Sequence, residues 1–423
     1  MKAWPRRLLV PNFSHSENMK AFVAVLGLLA LCVYASAELA PLHKAVSGQA
    51  IADEYIVLMK PDMLHEEWEG YVSDMTRLFA ADVDGEVLNT WIIGNSFKAL
   101  HVKTSSYAVQ FLRSHPAVEL IEENQVRTLQ ACRSESGAIW RIETHAMSGV
   151  NGKYTWDQTA SSVDAYIIDT GILTTHQEFA GRAIWGNNFA GDRKDTDCNG
   201  HGTHVAGTVG GTTVGVARGV TLIAVKVLGC DGSGTAAGVI SGIQWTAENA
   251  RKRGRKSVAN MSLGGGYSSV ENRAVAAVVD AGVPFAVAAG NEDQNACNVS
   301  PASEAKAITV GATYFTGGLG SGQDIRASFS NWGTCVDILA PGQAIKSAWI
   351  GSNSAYNTIS GTSMASPHVC GVAALIFGAH PSYSADAVKS KILADSTSNA
   401  IDLKCTKSGC SSTPNKLLYT APC

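Results

Sequence analysis

Val163-Asp164-Ala165-Tyr166-Ile167-Ile168, followed at once by Asp169-Thr170-Gly171, is a mostly apolar run that stops at a carboxylate and a turn. A near-continuous apolar run, rather than strict alternation, suits a strand covered on both faces. The same texture returns at Leu222-Ile223-Ala224-Val225-Lys226-Val227, at Val258 to Leu263 and at Pro284 to Ala289. Helical segments, Ala236 to Arg251 and Asn272 to Ala281, lie between these runs, and glycine-rich turns join them. The alternation predicts an α/β fold built on a doubly wound, mostly parallel sheet. In such sheets functional groups collect beyond the C-terminal ends of the strands, and Asp169 falls there.

Upstream of about Gln130 the texture differs. Tyr55-Ile56-Val57-Leu58-Met59 reads as a buried strand, and Leu64, Trp68, Tyr71, Met75 and Leu78 recur at helical spacing. Phe97-Lys98-Ala99-Leu100-His101-Val102 alternates like a half-buried strand. Ser106 to Ser114 forms a short helix stopped by His115-Pro116, and Val118 to Val126 closes the set as a strand. Strand, helix, strands, helix, strand predicts a small ferredoxin-like α+β module ahead of the larger domain. It carries no catalytic constellation, so its role is read as binding.

Further upstream, Met19-Lys20 opens an apolar run, Ala21 to Tyr34, that ends in Ala35-Ser36-Ala37. That is the pattern of a secretory signal, too short for a transmembrane span of ~20 residues. No later stretch reads as a membrane crossing. The expected organisation is therefore an N-terminal extension and signal peptide (1–37), the small module (38–129) and the large domain (130–423), in a secreted, soluble protein. Of 10 cysteines, Cys32 leaves with the signal, and export favours pairing of the rest. The odd remainder leaves at least one free, read as Cys370 on an apolar helix. A net charge of -3 at pH 7 suggests neither nucleic acid nor an acidic membrane surface. The basic cluster Arg251-Lys252-Arg253-Gly254-Arg255-Lys256 reads as a solvated helix end.

The chemistry begins with Asp169, which leaves a buried strand and can orient an imidazole away from water. Asp-Thr-Gly is also the motif of aspartic proteases, but those need two carboxylates sharing a proton, and the tripeptide occurs once here. His201 stands in Gly200-His201-Gly202-Thr203-His204, and no glutamate lies between the histidines as a zinc motif would require. His204 is accordingly read as structural. Ser360-Gly361-Thr362-Ser363-Met364-Ala365-Ser366-Pro367 places Ser363 at the start of an apolar helix, beside free N–H groups that suit an oxyanion. Pro367 is read as lying in the first turn, where a missing N–H does no harm.

Asp169, His201 and Ser363 thus occur in the chain order of subtilisin. With Ile168-Asp169-Thr170-Gly171-Ile172, Gly200-His201-Gly202-Thr203-His204, Ser262-Leu263-Gly264-Gly265-Gly266, Ala288-Ala289-Gly290-Asn291 and Gly361-Thr362-Ser363-Met364-Ala365, the sequence resembles the subtilisin-like serine proteases, most closely the proteinase K branch. The resemblance runs from about Gln130 to Leu403, and the module before it looks like the family's inhibitory propeptide. It implies Ser363 as nucleophile, His201 as general base, Asp169 as its orienting partner, and Asn291 with the Ser363 N–H as oxyanion hole.

The resemblance also implies substrate edges at Gly232-Ser233-Gly234 and Ser262-Leu263-Gly264, whose glycines leave room for an extended polypeptide. Ala288, Ala289, Gly290 and Ala296 would wall the pocket for the residue before the cut. No buried acid is evident there, which implies a broad endopeptidase favouring bulky apolar or aromatic residues. Alignment with the family's mature start puts self-processing near Leu129-Gln130. Catalysis would need no cofactor, but a structural calcium is expected on the carbonyls of Ala305 and Ala307 and the carboxylate of Asp337. Bridges Cys198–Cys230 and Cys297–Cys335 follow the pattern of some relatives. The pairing of Cys132, Cys405, Cys410 and Cys423 is left open, Cys405 with Cys410 and Cys132 with Cys423 being options. The expected partners are polypeptide substrates and the chain's own propeptide, in a monomer. The alternative is a catalytically silent protein that keeps this fold for binding.

Overall fold

The computed structural model describes residues 39–45, 48–81, 85–129, 132–133, 159–317 and 322–420, so the expected signal sequence lies outside the described residues. In the small module, β1 (Ala50–Met59), α1 (His65–Ala81), β2 (Gly85–Ile93), β3 (Phe97–Thr104), α2 (Ser106–Arg113) and β4 (Val118–Leu129) follow in the predicted order. Their sheet runs β4-β1-β3-β2 with antiparallel neighbours, the ferredoxin-like arrangement. Because strand side chains alternate, Tyr55, Val57 and Met59 turn to one face, where they pack with Trp68, Tyr71 and Met75 of α1 and Val109 and Leu112 of α2. Ile56, Leu58, Trp91, Ala99 and Leu120 turn to the other.

Two expectations change here. Leu64 is not on the buried face of α1: the helix begins at His65, and Leu64 is 65% exposed. The face is carried instead by Trp68, Tyr71, Met75 and Phe79. Phe97 to Val102 is buried throughout rather than half-buried, because the large domain covers the side its own helices do not.

In the large domain we use β5 (Val163–Asp169), β6 (Ala183–Asn188), α3 (His201–Gly210), β7 (Thr221–Lys226), β8 (Ser233–Thr235), α4 (Ala236–Arg253), β9 (Lys256–Met261), β10 (Leu263–Gly266), α5 (Ser269–Asp280), β11 (Phe285–Ala288), β12 (Ile308–Thr316), β13 (Ile338–Pro341), β14 (Ile345–Ala348), β15 (Tyr356–Ser360), α6 (Thr362–Ala379) and α7 (Ala385–Asp395). Strands β13-β12-β11-β9-β5-β7-β6 are parallel neighbours within a larger sheet. The chain enters at β5, builds one half through β6 and β7, then crosses to β9 for the other, so the topological switch lies beside Asp169. Val163, Ala165 and Ile167 pack on Val205 and Val209 of α3 and on Val369 and Phe377 of α6. Tyr166 and Ile168 face Ile240 and Ile243 of α4 and Val275 and Val278 of α5. Helix α6 is long and apolar enough to cross a membrane by composition, but its residues lie almost wholly within this core. The basic run ends α4, with Gly254 as its left-handed cap, and is anchored rather than merely solvated: Arg253 and Arg255 both hold the buried Asp164.

The two units share a sheet. Beyond the predicted end at Val126, β4 continues between β8 and β10, antiparallel to both. Arg127 pairs with Gly234, Thr128 with Ser233 and Gly264, and Leu129 with Leu263. Cys132 and Arg133 then pair with Ser360 and Ile359 of β15. The module's open face rests on α4 and α5. The Asn124 Oδ1 accepts from the Ala237 N–H at 3.2 Å, and Glu122 accepts from the Ser269 N–H at 2.7 Å and the Ser268 hydroxyl at 2.6 Å. Both thereby satisfy N–H groups that a helix start leaves free, and the carboxylate meets the positive end of a helix dipole. Disulfides join Cys198 to Cys230, Cys297 to Cys335 and Cys405 to Cys410. Cys370 is free and buried, which pushes its thiol pKa up. The Cys132 side chain and Cys423 lie outside the described residues.

Candidate active site

Asp169 ends β5 fully buried, and its Oδ1 accepts from His201 Nδ1 at 2.8 Å and from the Thr170 N–H at 2.7 Å. His201 opens α3, and its Nε2 has no hydrogen-bond partner. Two residues that the sequence reading missed fix this pair. Asp197 accepts from the N–H groups of Asn199, Gly200 and Thr203 and from the hydroxyls of Thr170 and Thr203, capping α3 and tying it to the end of β5. Lys226, wholly buried, donates to the carbonyls of Thr170 and Leu228, both at 2.9 Å. Asp197 gave little signal, because it stands three residues before Gly200, the residue at the N-cap position. Lys226 gave none beyond a charge inside an apolar strand.

Ser363 is the second residue of α6, which packs against α3. Its hydroxyl donates to the Ser262 carbonyl at 3.0 Å. Pro367 falls beyond the first turn, contrary to expectation, and so leaves the Ser363 carbonyl without its usual i+4 donor. The Ser262 hydroxyl takes that carbonyl at 2.8 Å. The start of α6 and the Ser262-Leu263-Gly264 segment are thus bonded in both directions. The Thr362 N–H donates to Asn291 Oδ1 at 2.9 Å, which fixes the amide so that Nδ2 faces away, buried and unpartnered. Such a donor is what an incoming anionic oxygen would use. Asn331, also missed, holds the preceding loop: its Nδ2 donates to Ala289 O at 2.9 Å, and its Oδ1 accepts from the N–H groups of Glu292 and Gln294.

The expected edges, Gly232-Ser233-Gly234 and Ser262-Leu263-Gly264, flank the path that β4 takes. The reason assigned to Gly234 needs correction. A Cβ there would sit 2.3 Å from Val227 O, so glycine is required by the domain's own packing rather than by the incoming chain. Ala288 is buried at the end of β11, two residues before Gly290, while Ala289 and Ala296 share one small cluster with Val299 and Ala302.

His204 is buried, its Nε2 lies 2.9 Å from Ile345 O, and burial lowers its pKa to about 3, so it stays neutral and structural. Asp192 lies near Cys198 and Cys230, but those thiols are already a disulfide and offer no thiolate. The calcium expectation fails on geometry. Lys389 Nζ from α7 donates to Ala305 O at 2.8 Å and Ala307 O at 2.5 Å, and lies 2.9 Å from Asp337 Oδ1. An ammonium already holds all three expected ligands, so these residues do not fit a bound divalent ion.

A sequence profile for the subtilase family matches residues 165–410. A subtilisin-like serine protease of Sarocladium strictum is 43% identical over 393 residues, covering 90% of this chain and 93% of its own. An extracellular serine proteinase of Thermus sp. (strain Rt41A) is 46% identical over 329 residues, covering 77% and 76%. Among solved structures, a cold adapted subtilisin-like serine proteinase matches with a TM-score of 0.60 at 44% identity, covering 68% of this chain and 98% of its own.

Proposed function

The chain belongs to the subtilase family of serine peptidases, and from that premise we propose that Ser363, His201 and Asp169 form the catalytic triad of a secreted endopeptidase made as an inhibited precursor. The observation that carries this reading is the 2.8 Å contact between His201 Nδ1 and Asp169 Oδ1, with His201 Nε2 left free at the cleft. Ser363 Oγ attacks the scissile carbonyl while His201 Nε2 takes its proton. His201 then protonates the leaving amine, and water, activated in the same way, hydrolyses the acyl-enzyme. Asp169 holds the Nδ1–H tautomer and stabilises the imidazolium. Asn291 Nδ2 and the Ser363 N–H donate to the tetrahedral oxyanion. No cofactor enters these steps.

The substrate is an extended polypeptide paired to β8 and β10, and small residues at Ala288, Ala289, Gly290 and Ala296 favour a bulky apolar or aromatic side chain before the cut. Residues 38–129 serve as the inhibitory propeptide and 130–423 as the peptidase; the occupation of both edges by β4 supports this. Processing near Leu129-Gln130 fits the pairing of Leu129, although Gln130 lies outside the described residues. Export is supported by three disulfides and by a relative named extracellular. Diisopropyl fluorophosphate is expected to inactivate the processed enzyme and to label Ser363 by mass spectrometry. Protein hydrolysis that persists without such labelling would refute the triad.

A further inference from the structure

The extension of β4 through the cleft displays how a bound peptide lies there, and one of its side chains meets a partner that the sequence motifs do not announce. Arg127, paired with Gly234, turns its side chain into the large domain, where it is fully buried. Its Nε donates to Glu271 Oε2 at 2.5 Å and its Nη1 to Gly266 O at 3.2 Å. The slot exists because residue 265 is glycine: a Cβ there would come within 2.6 Å of Arg127 Nη1. Glu271 sits in the first turn of α5, its N–H bonded to Ser268 Oγ, and its side chain has no exposure. Its Oε1 has no hydrogen-bond partner, and Arg127 is the cation paired with it.

We propose that Glu271 makes this cleft select a basic side chain, arginine before lysine, at the substrate position that pairs with Gly234. The inference rests on the peptidase reading above and adds a second selectivity, away from the pocket beside the cut. Once the propeptide leaves, the slot ends in a carboxylate whose counter-ion has gone. An arginine restores the pair, whereas an apolar side chain buries the charge unpaired. Lysine supplies the charge but not the fork that reaches Glu271 and Gly266 together.

The test uses processed enzyme from the full chain and quenched fluorescent peptides spanning the sequence of residues 124–133, with serine in place of Cys132. Replacing the arginine at position 127 of the peptide by leucine is expected to lower kcat/KM on the order of 10-fold to 100-fold, with lysine intermediate. The Arg/Leu ratio should collapse towards one in Glu271→Gln. Equal rates on the Arg and Leu peptides with wild-type enzyme overturn the proposal alone, and that comparison stands even if the variant does not fold. Failure to hydrolyse either peptide overturns the peptidase reading and this proposal with it.

Discussion

Removing the ammonium of Lys389 isolates what a built-in cation contributes. Its three acceptors, Ala305 O, Ala307 O and the Asp337 carboxylate, have no other cation in contact among the described residues. Breaking a fully buried pair on one side costs ~3–5 kcal/mol. Here the side chains keep 17% and 23% of their exposure, so water relieves part of the loss. We expect Lys389→Met, which preserves the stem and removes the charge, to cost about 2–3 kcal/mol. For a domain of this size that lowers Tm by about 3–5 °C. Lys389→Ala should lose as much in EDTA but leave room for a metal, so that millimolar calcium restores part of the loss. Asp337→Asn on top of Lys389→Ala should abolish that recovery. Thermal unfolding by circular dichroism, in a Ser363→Ala background that prevents self-digestion, measures all of these. Calcium effects arising elsewhere are common to every variant and cancel. If Lys389→Met melts with the wild type, or if the wild type gains a calcium-dependent rise that Asp337→Asn removes, the reasoning is refuted.

Ser363→Ala should leave the precursor whole on a gel, and cleavage at the junction in that variant at low, dilution-independent rate would contradict self-processing. Asn291→Ala should lower kcat by ~10²–10³ with little change in KM, the loss known for the corresponding asparagine of subtilisin; a change confined to KM would remove it from the oxyanion hole. Burial pushes the Glu178 carboxyl up, but hydrogen bonds from Thr213, Tyr356 and Val214 outweigh it and hold the pKa below the usual value. A depressed pKa gives stability that is full above the unfolded-state value and drains as pH falls through the folded one. Tyr356→Phe should therefore lower Tm at neutral pH, with the gap to wild type closing in acid; a gap that stays constant down to the acid transition is the contrary result.

The legible parts of the molecule were those where chemistry restricts residue type over a short string. Asp169, His201, Asn291 and Ser363 each stand in such a string, and the strands around them announced themselves by continuous apolar runs. Supporting groups were illegible because they act across long separations through backbone atoms. Lys389 reaches the Ala307 carbonyl from 82 residues away, and a carbonyl ligand places no demand on the side chain that bears it. Glu271 meets Arg127 across 144 residues, in a segment whose motif is written in its glycines. Phe97 to Val102 misled for a related reason: alternation reports the faces a strand has within its own module, not those a neighbouring domain will cover.

The small module's sheet is dry on both sides only while α4 and α5 lie beneath Ile56, Leu58, Trp91 and Ala99. Under the proposed processing, a fragment cut free at its last strand would carry a greasy underside into water, to be hidden again by settling back onto a peptidase or by coming apart. On the proposed precursor reading, the fragment's lifetime as a folded body would act as a clock that sets when activity begins.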